Sequence, residues 1–427
     1  MVPRQQLNTL VVIGQGYVGL PMALRAAESG LKVYGLDTNV RTVEDLNAGR
    51  SHIDDVSDEQ LRAGIARGFE ATTDPTVIAD ADVVLVCVPT PLASDGGPDL
   101  KAVVLAAEAI GEHITRGTLA ILESTTYPGT TEEVFAPRVA AGGLEIGQDV
   151  FVAFSPERID PGNETFGVRN TPKVVGGLTS ECTDRAAAFY GRFVDTVVSA
   201  KGAREAEMSK LIENTYRHVN IALVNEMLRF SHELDIDLWN AIDCAETKPF
   251  GYMAFRPGPG VGGHCIPVDP SYLSHRVKAR LGYSFRMVEL AEEINNAAPL
   301  YVASRVREAL NDAQKAVRGS RVLMLGVTYK PNISDRRESP ADPIARRLMA
   351  WGADVSYHDP FVPSWQPRGC STTLESVADP YAAASQSDIV ILVQAHRDYD
   401  LARISAESPC VLDTRSALPD GEAVIRL

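Results

Sequence analysis

A short apolar run at residues 10–13 leads directly into Gly14-Gln15-Gly16-Tyr17-Val18-Gly19, and a stretch of helical composition follows at 20–29 before Gly30 ends it. No other feature limits the fold of this chain as much. Glycines at that spacing between a strand and a helix make a turn tight enough for a phosphate to meet the helix N-terminus. Gly14 permits the turn, Gly16 lets a pyrophosphate approach the backbone, and Gly19 packs helix on strand, with Tyr17 and Val18 between them. A second strand at 31–36 is closed by Asp37. A carboxylate there accepts from a ribose diol and repels a 2′-phosphate, so NAD rather than NADP is expected. Arg41, shortly after, is a further candidate contact to the cofactor. A glycine turn with an ordinary capping aspartate is the plainer reading; the strand–turn–helix context weighs against it.

Further strands are expected at 81–88, 119–122 and 150–154, alternating with helical stretches, which predicts a doubly wound parallel sheet. The pattern changes over 202–234, where Gly and Pro nearly vanish and one long helix or two abutting ones are expected. Helices are also expected at 283–297 and 300–316, with a Gly/Pro-rich loop at 256–270. After Gly319 the opening pattern returns: a strand at 321–325, a turn at Gly326, a helix at 341–350, and a strand at 354–357 closed by Asp359. Residues 387–393 likewise echo 81–87, a weak repeat of a whole fold. The fold class is therefore α/β, two Rossmann-like doubly wound domains joined by a helical segment, with boundaries expected at 1–200, 201–316 and 317–427. The second domain lacks the glycine spacing, so it is expected to hold no dinucleotide; its Lys330 suggests a different anionic ligand.

The formal net charge of −15 disfavours nucleic acid as a partner. No apolar run reaches the roughly 18 residues that span a bilayer, so no membrane partner is expected. Cys87, Cys182, Cys244, Cys265, Cys370 and Cys410 form no C-x-x-C pair, and no histidines stand at zinc spacing. Neither a disulfide framework nor a metal site is expected, and the setting is read as reducing and cytoplasmic.

Gly258-Pro259-Gly260-Val261-Gly262-Gly263-His264-Cys265-Ile266-Pro267-Val268-Asp269-Pro270 is the most unusual stretch. Such a loop costs conformational entropy, so something must require its backbone. Free amides can cradle an anion, and a thiol presented there is within reach of a substrate. Asp269 stands where it orients a proton acceptor or a water. Spacing alone leaves a second reading open, a small buried cysteine in a tight loop. His264 looks like an obvious base, yet neighbours in an extended loop point apart. Lys210 and Asn214 share a helix face, which by itself reads as an ordinary solvated pair. Glu157 equally reads as a helix-start carboxylate, and Thr125 as a turn residue.

The Gly-rich opening, Val88-Pro89-Thr90-Pro91, Glu123-Ser124-Thr125-Thr126-Tyr127-Pro128-Gly129-Thr130, Ser155-Pro156-Glu157-Arg158, Lys210 with Asn214, the Cys265 loop and Asp335-Arg336-Arg337-Glu338-Ser339-Pro340 together resemble the UDP-glucose/GDP-mannose dehydrogenase family over nearly the whole chain. These are the nucleotide-sugar 6-dehydrogenases. The resemblance implies NAD as cofactor, a nucleotide sugar as substrate, four-electron oxidation of its C6 hydroxyl to a carboxylate, and a homodimer or higher homo-oligomer assembled through the helical segment. It implies Cys265 as the nucleophile, Lys210 and Asn214 as oxyanion stabilisers, Asp269 as an aid to proton transfer, and Glu157 and Thr125 as handlers of the hydrolytic water. Pro89, Thr90, Thr125 and Arg337 are implied around the cofactor. Arg158, Gly262, Gly263, Lys330 and Arg415, together with Glu157, Lys210 and Asn214, are implied around the substrate.

Within the family, Thr247-Lys248-Pro249-Phe250-Gly251, the Gly-Gly-His-Cys sequence and Val268 resemble the branch acting on UDP-N-acetylhexosamines. UDP- or dTDP-glucose is the alternative substrate. A two-electron β-hydroxyacid-type dehydrogenase, which needs no cysteine, and a non-catalytic nucleotide sensor are the more distant alternatives.

Overall fold

The computed structural model describes residues 7–93, 97–159, 163, 165–263 and 265–427, the side chains of Cys265 and Pro267 excepted. The chain divides into two compact units, Met1–Glu213 with Ser271–Gly282, and Asn214–Pro270 with Tyr283–Leu427.

The first unit is built on eight strands: β1 (Thr9–Ile13), β2 (Lys32–Leu36), β3 (Phe69–Thr72), β4 (Val83–Val86), β5 (Leu119–Leu122), β6 (Phe151–Phe154), β7 (Lys173–Gly177) and β8 (Val197–Ser199). Their order is β3-β2-β1-β4-β5-β6-β7-β8. Strands β1 to β6 are mutually parallel, β7 runs antiparallel to β6, and β8 is parallel to β7. Uninterrupted apolar runs are what such a sheet requires, because both of its faces are covered. In β1, Leu10 and Val12 enter one core while Val11 and Ile13 enter the other.

The second unit carries β9 (Arg321–Leu325), β10 (Asp354–His358), a short antiparallel pair β11 (Ser364–Trp365) and β12 (Leu374–Glu375), then β13 (Ile389–Leu392), β14 (Val411–Asp413) and β15 (Val424–Arg426). Its main sheet is parallel, in the order β10-β9-β13-β14-β15. Again Val322 and Met324 face one core and Leu323 and Leu325 the other. β9 lies between β10 and β13 as β1 lies between β2 and β4, so the weak internal repeat is one of topology. Two doubly wound sheets are the α/β fold the sequence predicts.

The helices depart from expectation at prolines. The stretch 202–234 is one helix, Ala203–Glu233. The two helices expected over 283–316 are one, Arg286–Asp312, which runs through Pro299. A proline forgoes one backbone hydrogen bond, and here the buried ring packs against the chain at Gly260. The segment read as loop to residue 270 turns helical at Cys265, in Cys265–Leu281. Pro267 falls among the first four residues, whose N–H groups have no partner within the helix, and Pro270 forgoes a single bond.

Within the first unit the long helix is tied to the turn after β5. The buried Glu207 carboxylate accepts from Gly129 N (2.6 Å), Thr131 N (2.8 Å) and Thr131 Oγ1 (2.7 Å). Burial pushes its pKa up, and these three bonds oppose the rise. Glu207→Ala leaves three buried donors without an acceptor and is expected to cost about 3 kcal/mol, read as a lower urea midpoint by circular dichroism. Glu207→Gln keeps an acceptor and should cost clearly less.

Candidate active site

The Gly-rich turn leaves β1 with Gly14 at φ 91°. A Cβ at Gly14 would sit 2.7 Å from Cys87 O, and one at Gly19 would sit 1.8 Å from Gly14 O. A Cβ at Gly16 would meet nothing within 4 Å. The chain itself therefore requires glycine at 14 and 19, whereas at 16 bareness keeps open the space a pyrophosphate would need. The helix Gly19–Glu28 begins there with neither a side-chain cap nor an acidic residue in its first turn; Leu20 N and Met22 N donate to Gly16 O and Val18 O and Pro21 has no N–H, so it is the positive end of the helix dipole that favours an anion there. Asp37, half-buried at the end of β2, accepts from Gln15 N (2.9 Å) and Asn39 N (2.9 Å) and so fixes its carboxylate beside the turn. Tyr17 and Val18 are half-buried, whereas Arg41 and Pro89 are exposed. Thr90 is buried, and the Tyr272 hydroxyl donates to its carbonyl oxygen. These residues fit a dinucleotide.

Thr125 and Glu157 follow β5 and β6 at the same edge of the sheet. Thr125 is half-buried and Glu157 buried. The Glu157 carboxylate accepts from Ile159 N (2.5 Å) and from Lys173 Nζ (3.3 Å), while Lys210 Nζ donates to the Glu157 carbonyl oxygen. Lys210 is buried, and among the described residues no carboxylate lies within ion-pair distance of it. Arg158 is held by Glu213 (2.9 Å) and by the carbonyl of Pro172 (2.8 Å). Sequence reasoning missed Lys173 and assigned Glu123 no role. Their ion pair is 2.6 Å long and fully buried. The available signal was a lysine heading the apolar run 173–177.

In the second unit Asn214 Nδ2 donates to Asp269 Oδ2 at 2.5 Å, and Asp269 is buried. Asp269 lies on the helix that Cys265 begins; the Cys265 side chain and residue His264 lie outside the described residues. The glycine loop rests on the segment after β9. Gly263 N donates to Arg337 O (2.8 Å), and a Cβ at Gly262 or Gly263 would fall 2.6 or 2.7 Å from Tyr329. Gly258 N donates to Asn225 Oδ1 (3.0 Å). The amides of Gly258 and Gly263, expected to be free for an anion, are thus engaged by the protein, and steric contact explains glycine at 262 and 263. The Arg337 guanidinium grips Asp335 at 2.6 and 2.9 Å. Lys330 is half-buried. Arg415 donates to Val393 O (2.9 Å) and lies 3.0 Å from where a Gly258 Cβ would stand. Burial, opposed in part by Asp413, pushes its pKa down to about 10, which still leaves a cation at neutral pH.

Three domains of one family match in order: the NAD binding domain over residues 8–194, the central domain over 204–297 and the UDP binding domain over 323–420. The chain belongs to the UDP-glucose/GDP-mannose dehydrogenase family. An NDP-N-acetyl-D-galactosaminuronic acid dehydrogenase of Ralstonia nicotianae is 34% identical over 96% of this chain and 96% of its own. A UDP-N-acetyl-D-mannosamine dehydrogenase of Yersinia pestis is 34% identical over 92% of this chain and 94% of its own. The solved structure of UDP-D-ManNAc dehydrogenase from Pyrococcus horikoshii superposes with a TM-score of 0.88 at 29% identity, covering 98% of each chain. The protein is a dehydrogenase of this family, and NAD is its cofactor. Among the described residues no helix is long and apolar enough to cross a membrane.

Gly16→Ala and Gly19→Ala should fail differently. The first is expected to leave the thermal midpoint unchanged and weaken NAD binding roughly tenfold or more by titration calorimetry, since it fills only the phosphate space. The second drives a methyl into backbone and should lower the midpoint itself.

Proposed function

We propose that the protein oxidises the C6 hydroxyl of a UDP-N-acetylhexosamine to a carboxylate, in two NAD-dependent steps joined by a covalent bond to Cys265. The observation that carries this is the helix that begins at Cys265 and places Asp269 one turn on, where Asn214 holds it. A helix N-terminus favours the thiolate of a cysteine carried there. The substrate class is supported by relatives named UDP-N-acetyl-D-mannosamine dehydrogenase and UDP-N-acetyl-D-glucosamine 6-dehydrogenase. In this reading residues 1–200 hold the cofactor, 201–316 form the central segment, and 317–427, with Lys330 and Arg415, hold the nucleotide sugar.

The C6 hydroxyl passes its proton to water, with Asp269 assisting, as a hydride leaves the carbon, and the Lys210 ammonium and Asn214 amide stabilise the alkoxide. Preorganised charge of this kind is worth roughly 3–4 kcal/mol. NAD, when bound, accepts the hydride in each oxidation. The Cys265 thiolate adds to the aldehyde carbon, because an aldehyde carries no hydride it can give until a nucleophile has made it tetrahedral. The thiohemiacetal gives up the second hydride and becomes a thioester. Glu157 takes a proton from water as the water oxygen bonds to the acyl carbon, with Thr125 orienting that water. The carbon–sulfur bond then breaks, its electron pair stays on sulfur, and the acid so formed gives its remaining proton to solvent and departs as the carboxylate.

The proposal includes a homodimer. Tyr216, Leu223 and Phe230 are 48%, 53% and 45% exposed at seven-residue spacing on the long helix, an apolar stripe that a second copy would cover.

An NADH assay over UDP-N-acetylmannosamine, UDP-N-acetylglucosamine, UDP-glucose, dTDP-glucose and GDP-mannose is expected to give two NADH per UDP-N-acetylhexosamine; a yield of one sinks the four-electron reading. Cys265→Ser should lose overall turnover and keep NAD binding. Full activity in that variant would favour a two-electron dehydrogenase. Leu223→Asp with Phe230→Asp should halve the mass measured by light scattering.

A further inference from the structure

Lys173 is the first residue of β7, the strand that runs against its neighbour. Phe154 pairs with Gly176, and continuing that antiparallel register three residues past Phe154 sets Lys173 opposite Glu157. The Ser155 hydroxyl, donating to Val174 O at 2.8 Å, ties the two segments together beside it. The reversal of β7 thus returns a cation to the edge where the parallel strands end. Lys173 is 5% exposed, and its ammonium contacts two buried carboxylates, Glu123 at 2.6 Å and Glu157 at 3.3 Å. On the far side, the Tyr190 hydroxyl donates to Glu123 at 2.5 Å and the Cys87 thiol lies 3.5 Å from it.

Removing three charges from water is costly, and a hydrophobic trio of the same volume would hold the fold at least as well. Stability alone therefore does not account for the cluster. Two carboxylates share one cation, so the hold of Lys173 on Glu157 depends on Glu123. Burial alone would lower the lysine pKa; Glu123 and Glu157 outweigh it and hold the ammonium above the usual lysine range. Burial pushes the Glu123 carboxyl up, with Lys173 opposing and Glu157 adding to the rise. Burial likewise pushes up Cys87 and Tyr190, which remain neutral at ordinary pH. Among the described residues, Lys210, which donates to the Glu157 carbonyl, and Arg158, paired with Glu213, are the further charged groups beside Glu157.

We propose that Lys173 is the positioning residue for Glu157 in the hydrolytic step: it is the counter-ion that fixes the Glu157 carboxylate, and Glu123 sets how much of that cation Glu157 receives. This rests on the reading above that Glu157 takes the proton of the hydrolytic water. Lys173 touches no substrate and acts through Glu157.

The test uses the full-length enzyme with NAD and UDP-N-acetylmannosamine. In Lys173→Met the two hydride transfers should persist as a burst of two NADH per subunit, while steady-state turnover falls roughly tenfold or more. Acid-quenched protein should then carry the acyl adduct by intact mass. Lys173→Arg should restore part of the turnover. The acid limb of the steady-state rate should move to higher pH in Lys173→Met, where two carboxylates are left without a cation, and to lower pH in Glu123→Gln, where the cation serves Glu157 alone. If Lys173→Met does not fold, Lys173→Met with Glu123→Gln leaves a single buried carboxylate and should still accumulate the adduct. Loss of burst and turnover in equal measure, with no adduct, overturns the proposal and leaves Lys173 a structural residue. A wild-type yield of one NADH overturns the four-electron reading and this proposal with it.

Discussion

Parallel strands all end at one edge of their sheet, and the first unit depends on that constraint. Gly14 leaves β1 there, Asp37 leaves β2, Pro89 and Thr90 follow β4, Glu123 to Thr125 follow β5, and Glu157 follows β6. Residues far apart in sequence share that edge because each is the first turn after a buried strand, and ligands of open α/β sheets bind along such edges. The second unit obeys the same rule: Lys330 follows β9 and Arg415 follows β14.

What was legible in the sequence follows from this constraint. A strand buried on both faces announces itself as an unbroken apolar run, and the next polar or glycine-rich residues lie at the functional edge. Gly14 and Asp37 could be found in this way; Thr125 and Glu157 obey the same rule, but only the family resemblance singled them out. Lys173 could not, because it enters the edge from the opposite direction, at the head of β7, and nothing local says that this strand is reversed. Strand direction is fixed by long-range pairing, which periodicity does not encode. Glu207 was hidden for a related reason. On a long helix one more glutamate reads as solvated surface, and only the fold sets Gly129 and Thr131 against it.

The prolines misled in the other direction. Composition at 256–270 reads as loop throughout, yet the helix begins at Cys265, because its opening residues have no N–H partners to lose. The consequence is chemical as well as geometric. A cysteine in an extended loop is only accessible, whereas one that opens a helix stands where a negative charge is favoured. The glycines before it carry a further lesson. Their number suggested an amide cradle, yet Gly262 and Gly263 are bare because Tyr329 leaves no room for a side chain. Their bareness lets the loop press against the segment that bears Tyr329 and Arg337.

The two buried lysines of the first unit divide the electrostatic work. Lys173 has two carboxylates and is spent on holding them. Lys210 donates only to a backbone carbonyl, and among the described residues it has no ionic partner. A buried cation without a counter-ion is unfavourable in the resting protein and is relieved when an anion forms beside it. In the proposed reaction an alkoxide on substrate carbon would be such an anion, and a Lys210 without a counter-ion would stabilise it as the charge develops. A buried carboxylate placed beside Lys210 would satisfy it permanently and remove that difference. On the proposed reaction, Lys210 would owe its effect as much to the ionic partner it lacks among the described residues as to its own charge.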